Sequence, residues 1–253
     1  MPWATLARLV LIEARRGALP WLAVLSVLLI LALAGFLSQV ALTESRQLEL
    51  AVMSALGRAC ALFLLAIQVA NSVLREMNDK GLELMLTLPF ARWTQYAGRL
   101  AGFVACGALL AALFAAPLLL WAGPMAVAAW ALSLALEAAL VAAAALFFAM
   151  SLGQLVASIA ATAGLYLLAR SVDSIQAIAA SPLADASAAH ELARWAIDAV
   201  ALLLPRLDAV TRTEWLLYGP PQPPAYLAAL AGLAIYGLLL FAAGLFDFQR
   251  SSH

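Results

Sequence analysis

Few residues in this 253-residue chain are of types that could do chemistry, and their spacing excludes most chemistries. The two histidines, His190 and His253, stand 63 positions apart, and neither belongs to an HExxH pair. Cys60 and Cys106 form no CxxC and lie in apolar runs, where two small buried thiols are expected. No GxSxG is present, and no GxxxxGK[ST] loop that could cradle a nucleotide phosphate. Hydrolytic, metal-assisted and P-loop catalysis are therefore not expected of this chain, and no cofactor is expected to bind it. What remains is a set of polar groups inside long apolar runs: Arg58, Gln68, Asn71 and Glu137. The other feature is one dense charged stretch, "NSVLREMNDKGLELMLTLPFARWTQYAGR", from Asn71 to Arg99.

The elements that hold these residues follow from hydropathy. The chain is 66% hydrophobic and 11% charged, against about 45–50% and about 25% for soluble domains. A spanning helix needs about 20 apolar residues, and six segments qualify: roughly 19–40, 51–73, 97–121, 126–149, 151–170 and 225–246. The expectation is an all-α integral membrane protein with one transmembrane domain over residues 1–253. Fourteen Lys and Arg balance fourteen Asp and Glu, so nucleic acid is not an expected partner. Ala122-Gly123-Pro124 and Met150-Ser151-Leu152-Gly153 are short enough to make tight turns, the second a helical hairpin.

Arg8, Arg15 and Arg16 precede the first span, Arg75, Lys80, Arg92 and Arg99 lie between the second and third, and Arg250 follows the sixth. The positive-inside rule places the N-terminus, the charged connection and the C-terminus in the cytoplasm. Residues 171–224 then lie outside. Within them "AHELARWAIDAVALLL" sets Leu192, Trp195, Ala199 and Leu203 at helical spacing, followed by "RLDAVTRTEWLLYG". Two short re-entrant helices dipping into the outer leaflet fit this pattern. Residues 3–16 read as an interfacial helix with Trp3, Leu6, Leu9, Val10 and Glu13 along one side.

Polar groups inside a bilayer are costly, about 2.5–3.5 kcal/mol for an ion at a helix centre, and so are functional suspects. Arg58 lies about a turn past the start of its span and is read as snorkelling to the outer interface. Gln68 and Asn71 are read as a stripe continuing deeper and inward from it. Glu137, near the centre of the fourth span, is open to a structural hydrogen bond or a lining role, and a pair with Arg58 is compatible with the sequence. Small-residue runs at 138–145 and 158–164 suit close packing, in a dimer seam or within the bundle.

In the charged stretch, Arg75, Glu76, Asp79, Lys80 and Glu83 share one helix face, while Leu74, Met77, Leu84, Met85 and Leu88 fall on the other. Arg75–Asp79 and Glu76–Lys80 are opposite-charge i,i+4 pairs, worth about 0.2–0.5 kcal/mol each. Gly81 can break the helix, Leu82–Leu88 can form a short second one, and Pro89 ends it. A solvated loop that merely orients the protein accounts for the bases; the three acids favour a protein partner.

"REMNDKGLELMLTLPFARWTQYAGRL" resembles the cytoplasmic signature of the membrane subunits of type-2 ABC exporters, on Glu76, Gly81, Glu83, Leu84, Leu86, Pro89, Arg92, Gly98 and Arg99. The N-terminal "LIEARRG", the outer "LLLPRLDAVTRTEWLLYG" and the terminal "LFDFQR" are similar to further parts of that family. No long appended domain is seen that would name a substrate-specific subtype. The resemblance implies a bacterial inner-membrane permease whose coupling helix, at residues 74–90, docks on a separate ATPase subunit that supplies ATP and Mg. It implies pairing with a second copy or a related permease, and it assigns the coupling role to Glu76, Asp79, Lys80, Gly81, Glu83, Leu84, Leu86, Pro89 and Arg92. Two alternatives stand beside it. One is a non-transporting mechanotransmission or assembly subunit that reaches a periplasmic partner through 171–224. The other is an ATP-independent secondary transporter, which predicts inverted repeats; none is clear between residues 1–125 and 126–253.

Overall fold

The computed structural model describes residues 2–40, 45–79, 92–179, 188–205, 207–208, 210, 215–216, 219 and 223–250. Among these the chain is helical throughout, without strands. The helices are α1 (Pro2–Arg16), α2 (Leu19–Val40), α3 (Ser45–Asn78), α4 (Arg92–Ala115), α5 (Pro124–Leu152), α6 (Leu155–Ala179), α7 (Ala188–Leu203) and α8 (Pro223–Arg250). Six of them, α2 to α6 and α8, are long and apolar enough to cross a membrane, the architecture of a multi-pass membrane protein.

Local chemistry sets the turns. Pro117 introduces a 3-10 segment, Ala116–Leu120, that closes α4. Gly123 then caps α5, with Pro124 in its first turn, where a missing N–H costs nothing. At the other end of α5, Gly153 takes φ 62°, a left-handed cap that L side chains rarely adopt, and its N–H reaches the Ala149 carbonyl at 3.2 Å. Met150–Leu152 therefore complete α5, and the hairpin to α6 turns on Gly153 and Gln154 alone.

An even count of crossings brings the ends of α3, α5 and α8 and the starts of α2, α4 and α6 to one side, here called the connection end, where the Arg99–Glu76 pair holds α4 beside α3. Ser151 donates to Asp247 at 2.7 Å, tying the ends of α5 and α8. At the far end the Arg46 guanidinium donates to the Trp121 carbonyl, joining the start of α3 to the turn before α5.

Helix α5 is the hub and packs against α3, α4, α6 and α8. Apart from Ser133, Glu137 and, in its last turn, Ser151, it is apolar on every side, as suits a helix packed by several others. Ala142–Ala145, Leu146 and Ala149 are all buried, and the small side chains let neighbouring helices approach closely. Helix α1 packs along the first half of α4. A Cβ on Gly98 would stand 2.9 Å from the Trp3 carbonyl, and one on Gly102 would stand 2.7 Å from the Val10 Cβ. The Gly98-x-x-x-Gly102 pair thus presents a flat strip on which α1 lies. The buried side of α1 runs through Val10 and Ala14, with Leu6 half-buried; Leu6, Leu9, Val10 and Glu13 of the expected stripe line one cavity, while Trp3 and Leu9 stay exposed.

Helix α7 packs on α6, and Ile197, Val200 and the following Leu204 line a cavity of about 200 Å³ with Leu168, Val172 and Ile175 of α6. Trp195, expected on the apolar face, points outward. The second re-entrant helix expected over 206–219 falls largely outside the described residues. Its described members Leu207 and Val210 are fully buried in a small core with Leu140, Ala169 and Leu233, and Trp215 packs edge-on to Tyr226 at 5.1 Å.

Candidate functional site

Among the described residues, two polar constellations are built into the bundle. The first lies midway along α3 and α5. Arg58 and Glu137 each stand thirteen residues past the first residue of their helix, about 20 Å along it. The Arg58 guanidinium donates to Glu137 Oε2 and, through Nη2, to Ser133 Oγ at 3.1 Å. Its central carbon lies 5.1 Å from the centroid of the Trp130 ring, a cation–π arrangement. Ser133 in turn donates to the Trp130 carbonyl at 2.7 Å. Trp130, Ser133 and Glu137 follow one another at i, i+3 and i+7, so a single face of α5 wraps the cation. Both ions are essentially inaccessible to solvent.

This overturns the snorkelling reading of Arg58. Its side chain does not run to the outer interface, because an acid, a hydroxyl and an indole on α5 satisfy it in place. The inward stripe with Gln68 and Asn71 is corrected as well. Asn71 lies thirteen positions after Arg58, about 220° round the helix, and is exposed, while Gln68 is half-buried. Two further helices close on the same level. On α6, Arg170 donates to the Tyr166 hydroxyl at 3.0 Å. On α8, the Tyr226 hydroxyl donates to the Ala129 carbonyl at 2.6 Å. The sequence reading set the end of its span at Arg170 and so passed over it.

The second constellation sits at the connection end, where the chain leaves α3 and enters α4. Arg99 Nη2 donates to Glu76 Oε1 at 2.5 Å, joining the last turns of α3 to α4. Ser72 Oγ donates to Glu13 Oε2 at 2.8 Å, joining α3 to α1. With the Gly98/Gly102 strip, the three helices are tied pairwise. Between them lies a cavity of about 340 Å³ lined by Leu9, Glu13, Arg75, Glu76, Asp79 and Arg99, among others. Unlike the mid-helix pair, this one is partly wet: the Glu76 side chain is 25% exposed.

The expected coupling residues divide accordingly. Glu76 faces Arg99 and the cavity, and Asp79, exposed, closes α3 with its N–H on the Arg75 carbonyl at 2.9 Å. Lys80, Gly81, Glu83, Leu84, Leu86 and Pro89 lie outside the described residues, and Arg92 opens α4 with only its backbone described. Ser72 and Glu13 were not foreseen as partners, since nothing in one sequence places α1 beside α3. The Gly98-x-x-x-Gly102 spacing was the available signal for α1 against α4. Among the described residues, no group of three or more His, Cys, Asp or Glu could hold a metal ion. No protein-family model matches the chain, and no curated protein matches it.

Proposed function

We propose that the chain is the membrane-spanning permease subunit of an ATP-driven ABC exporter. It would couple ATP hydrolysis by a separate ATPase subunit to movement of a substrate across a bacterial cytoplasmic membrane, with both termini in the cytoplasm. Two permease copies, or this chain and a related one, would pair with two ATPase subunits. The observation that carries the reading is the lock at the two roots of the charged connection. Residue 80 follows α3 almost directly, residue 91 precedes α4, and the Glu76–Arg99 pair clamps those two helices together just beyond. A push received on 80–91 then enters α3, α4 and, through Glu13–Ser72, α1 as one unit. Helix α3 is unbroken for 34 residues, so displacement at its connection end travels about 27 Å along it to Arg58 and the central helix.

The test is co-expression with a candidate ABC ATPase from the same source. The two should co-purify, and replacing Glu83 and Arg92 should abolish assembly or uncouple ATP turnover while leaving membrane insertion intact. Normal assembly and transport by both variants would refute the coupling assignment.

A further inference from the structure

The α1–α2 corner carries a second site, independent of how the protein is energised. A groove of about 350 Å³, within the ~300–1,000 Å³ range of ligand sites, opens between α1, α2 and α4. Its wall is apolar, formed by Leu11, Leu19, Ala23, Leu110 and Leu113, and one cation, Arg15, stands in its lining. Helix α2 has the length of a single span, so its first residues, Leu19 and Pro20, mark a membrane face, and Arg15 and Arg16 sit at headgroup level. Exposed Trp21 stands beside Pro20 at the same corner, as interfacial indoles do. Both arginines are exposed, and among the described residues no acid pairs with either. Glu13, the nearest acid along α1, accepts from Ser72 in the α1–α3 contact instead.

We infer that this groove binds an anionic phospholipid, an acyl chain lying between α2 and α4 and the phosphate resting on Arg15. Apolar walls select a chain but not a headgroup; the unpaired guanidinium at the mouth selects negative charge. The inference needs only that α2 crosses a bilayer, whichever side its start faces.

Purified full-length chain, titrated with palmitoyl-oleoyl phosphatidylglycerol or phosphatidylcholine and read by native mass spectrometry, tests it. Phosphatidylglycerol should bind more tightly. Arg15→Gln should weaken it about five-fold, the effect of one interfacial cation, and Arg15→Lys should restore most of that. Leu113→Trp should fill the groove and lower retention of both lipids, with the folded state verified by an unchanged far-ultraviolet spectrum. Equal binding of the two lipids, or wild-type binding by Arg15→Gln, would overturn the site. So would a dimer that Leu113→Trp dissociates, since a second copy would then occupy the groove. ATPase co-purification enters none of these outcomes, so this site and the exporter reading fail separately.

Discussion

Among the described residues, the bundle contains two arginine–carboxylate pairs that share chemistry and differ in surroundings. Arg58–Glu137 is dry, wrapped by one face of the central helix and capped by an indole. Arg99–Glu76 borders a cavity, has one partner a quarter exposed, and stands where the chain leaves the bundle. A desolvated pair is costly to separate, because each ion strands the other in a low dielectric. A half-wet pair can open, because water substitutes for the partner. The first is therefore a brace and the second a latch, and the difference lies in neighbours rather than in residue type.

The largest expected effect is at the brace. Glu137→Leu leaves Arg58 unpaired and should cost about 3–5 kcal/mol in reversible unfolding monitored by fluorescence. Adding Arg58→Met should return stability at least to the parental value, since a well-packed apolar pair avoids desolvation. A double variant as unstable as the single would end the brace reading. Next is the α1–α4 strip. Gly102→Val places a branched side chain where a Cβ already meets Val10, and about 1–3 kcal/mol of overpacking should appear, with α1 becoming open to proteolysis. At the latch, Glu76→Gln should cost only about 1 kcal/mol, the quarter-exposed carboxylate being partly screened and the amide still able to accept from Arg99. The smallest term is the coupling between the pairs. Positions 58 and 76 lie about 27 Å apart on α3, so Glu137→Leu and Glu76→Gln should add within about 0.5 kcal/mol in a double-mutant cycle.

The spans were legible because a bilayer demands about 20 apolar residues in a row, and α2 to α6 and α8 each contain such a run at the expected place, with α3 and α6 extending beyond it. The turns at Gly123-Pro124 and Gly153 were legible because backbone conformation is written in Gly and Pro. The partners of the polar residues were not, with one reason in each case. Arg58 stood near the start of an apolar run, which favours snorkelling unless an acid waits on another helix, and the sequence cannot place α5 beside α3. The Trp130, Ser133 and Glu137 spacing did encode a single polar face. Glu13 and Ser72 meet only because α1 folds back over Gly98 and Gly102, a contact of tertiary origin. Arg170 was set aside as the end of a span, yet α6 continues to Ala179.

The central claim is that the latch transmits and the brace only supports. In the proposed exporter, ATP turnover by the chain assembled with a partner ATPase in proteoliposomes, compared between Glu76→Gln and the Arg58→Met/Glu137→Leu double variant, tests it most directly. The account predicts that Glu76→Gln assembles but loses transport-linked turnover, while the double variant retains it. Parental turnover with Glu76→Gln, or its loss in the stable double variant, would contradict the account.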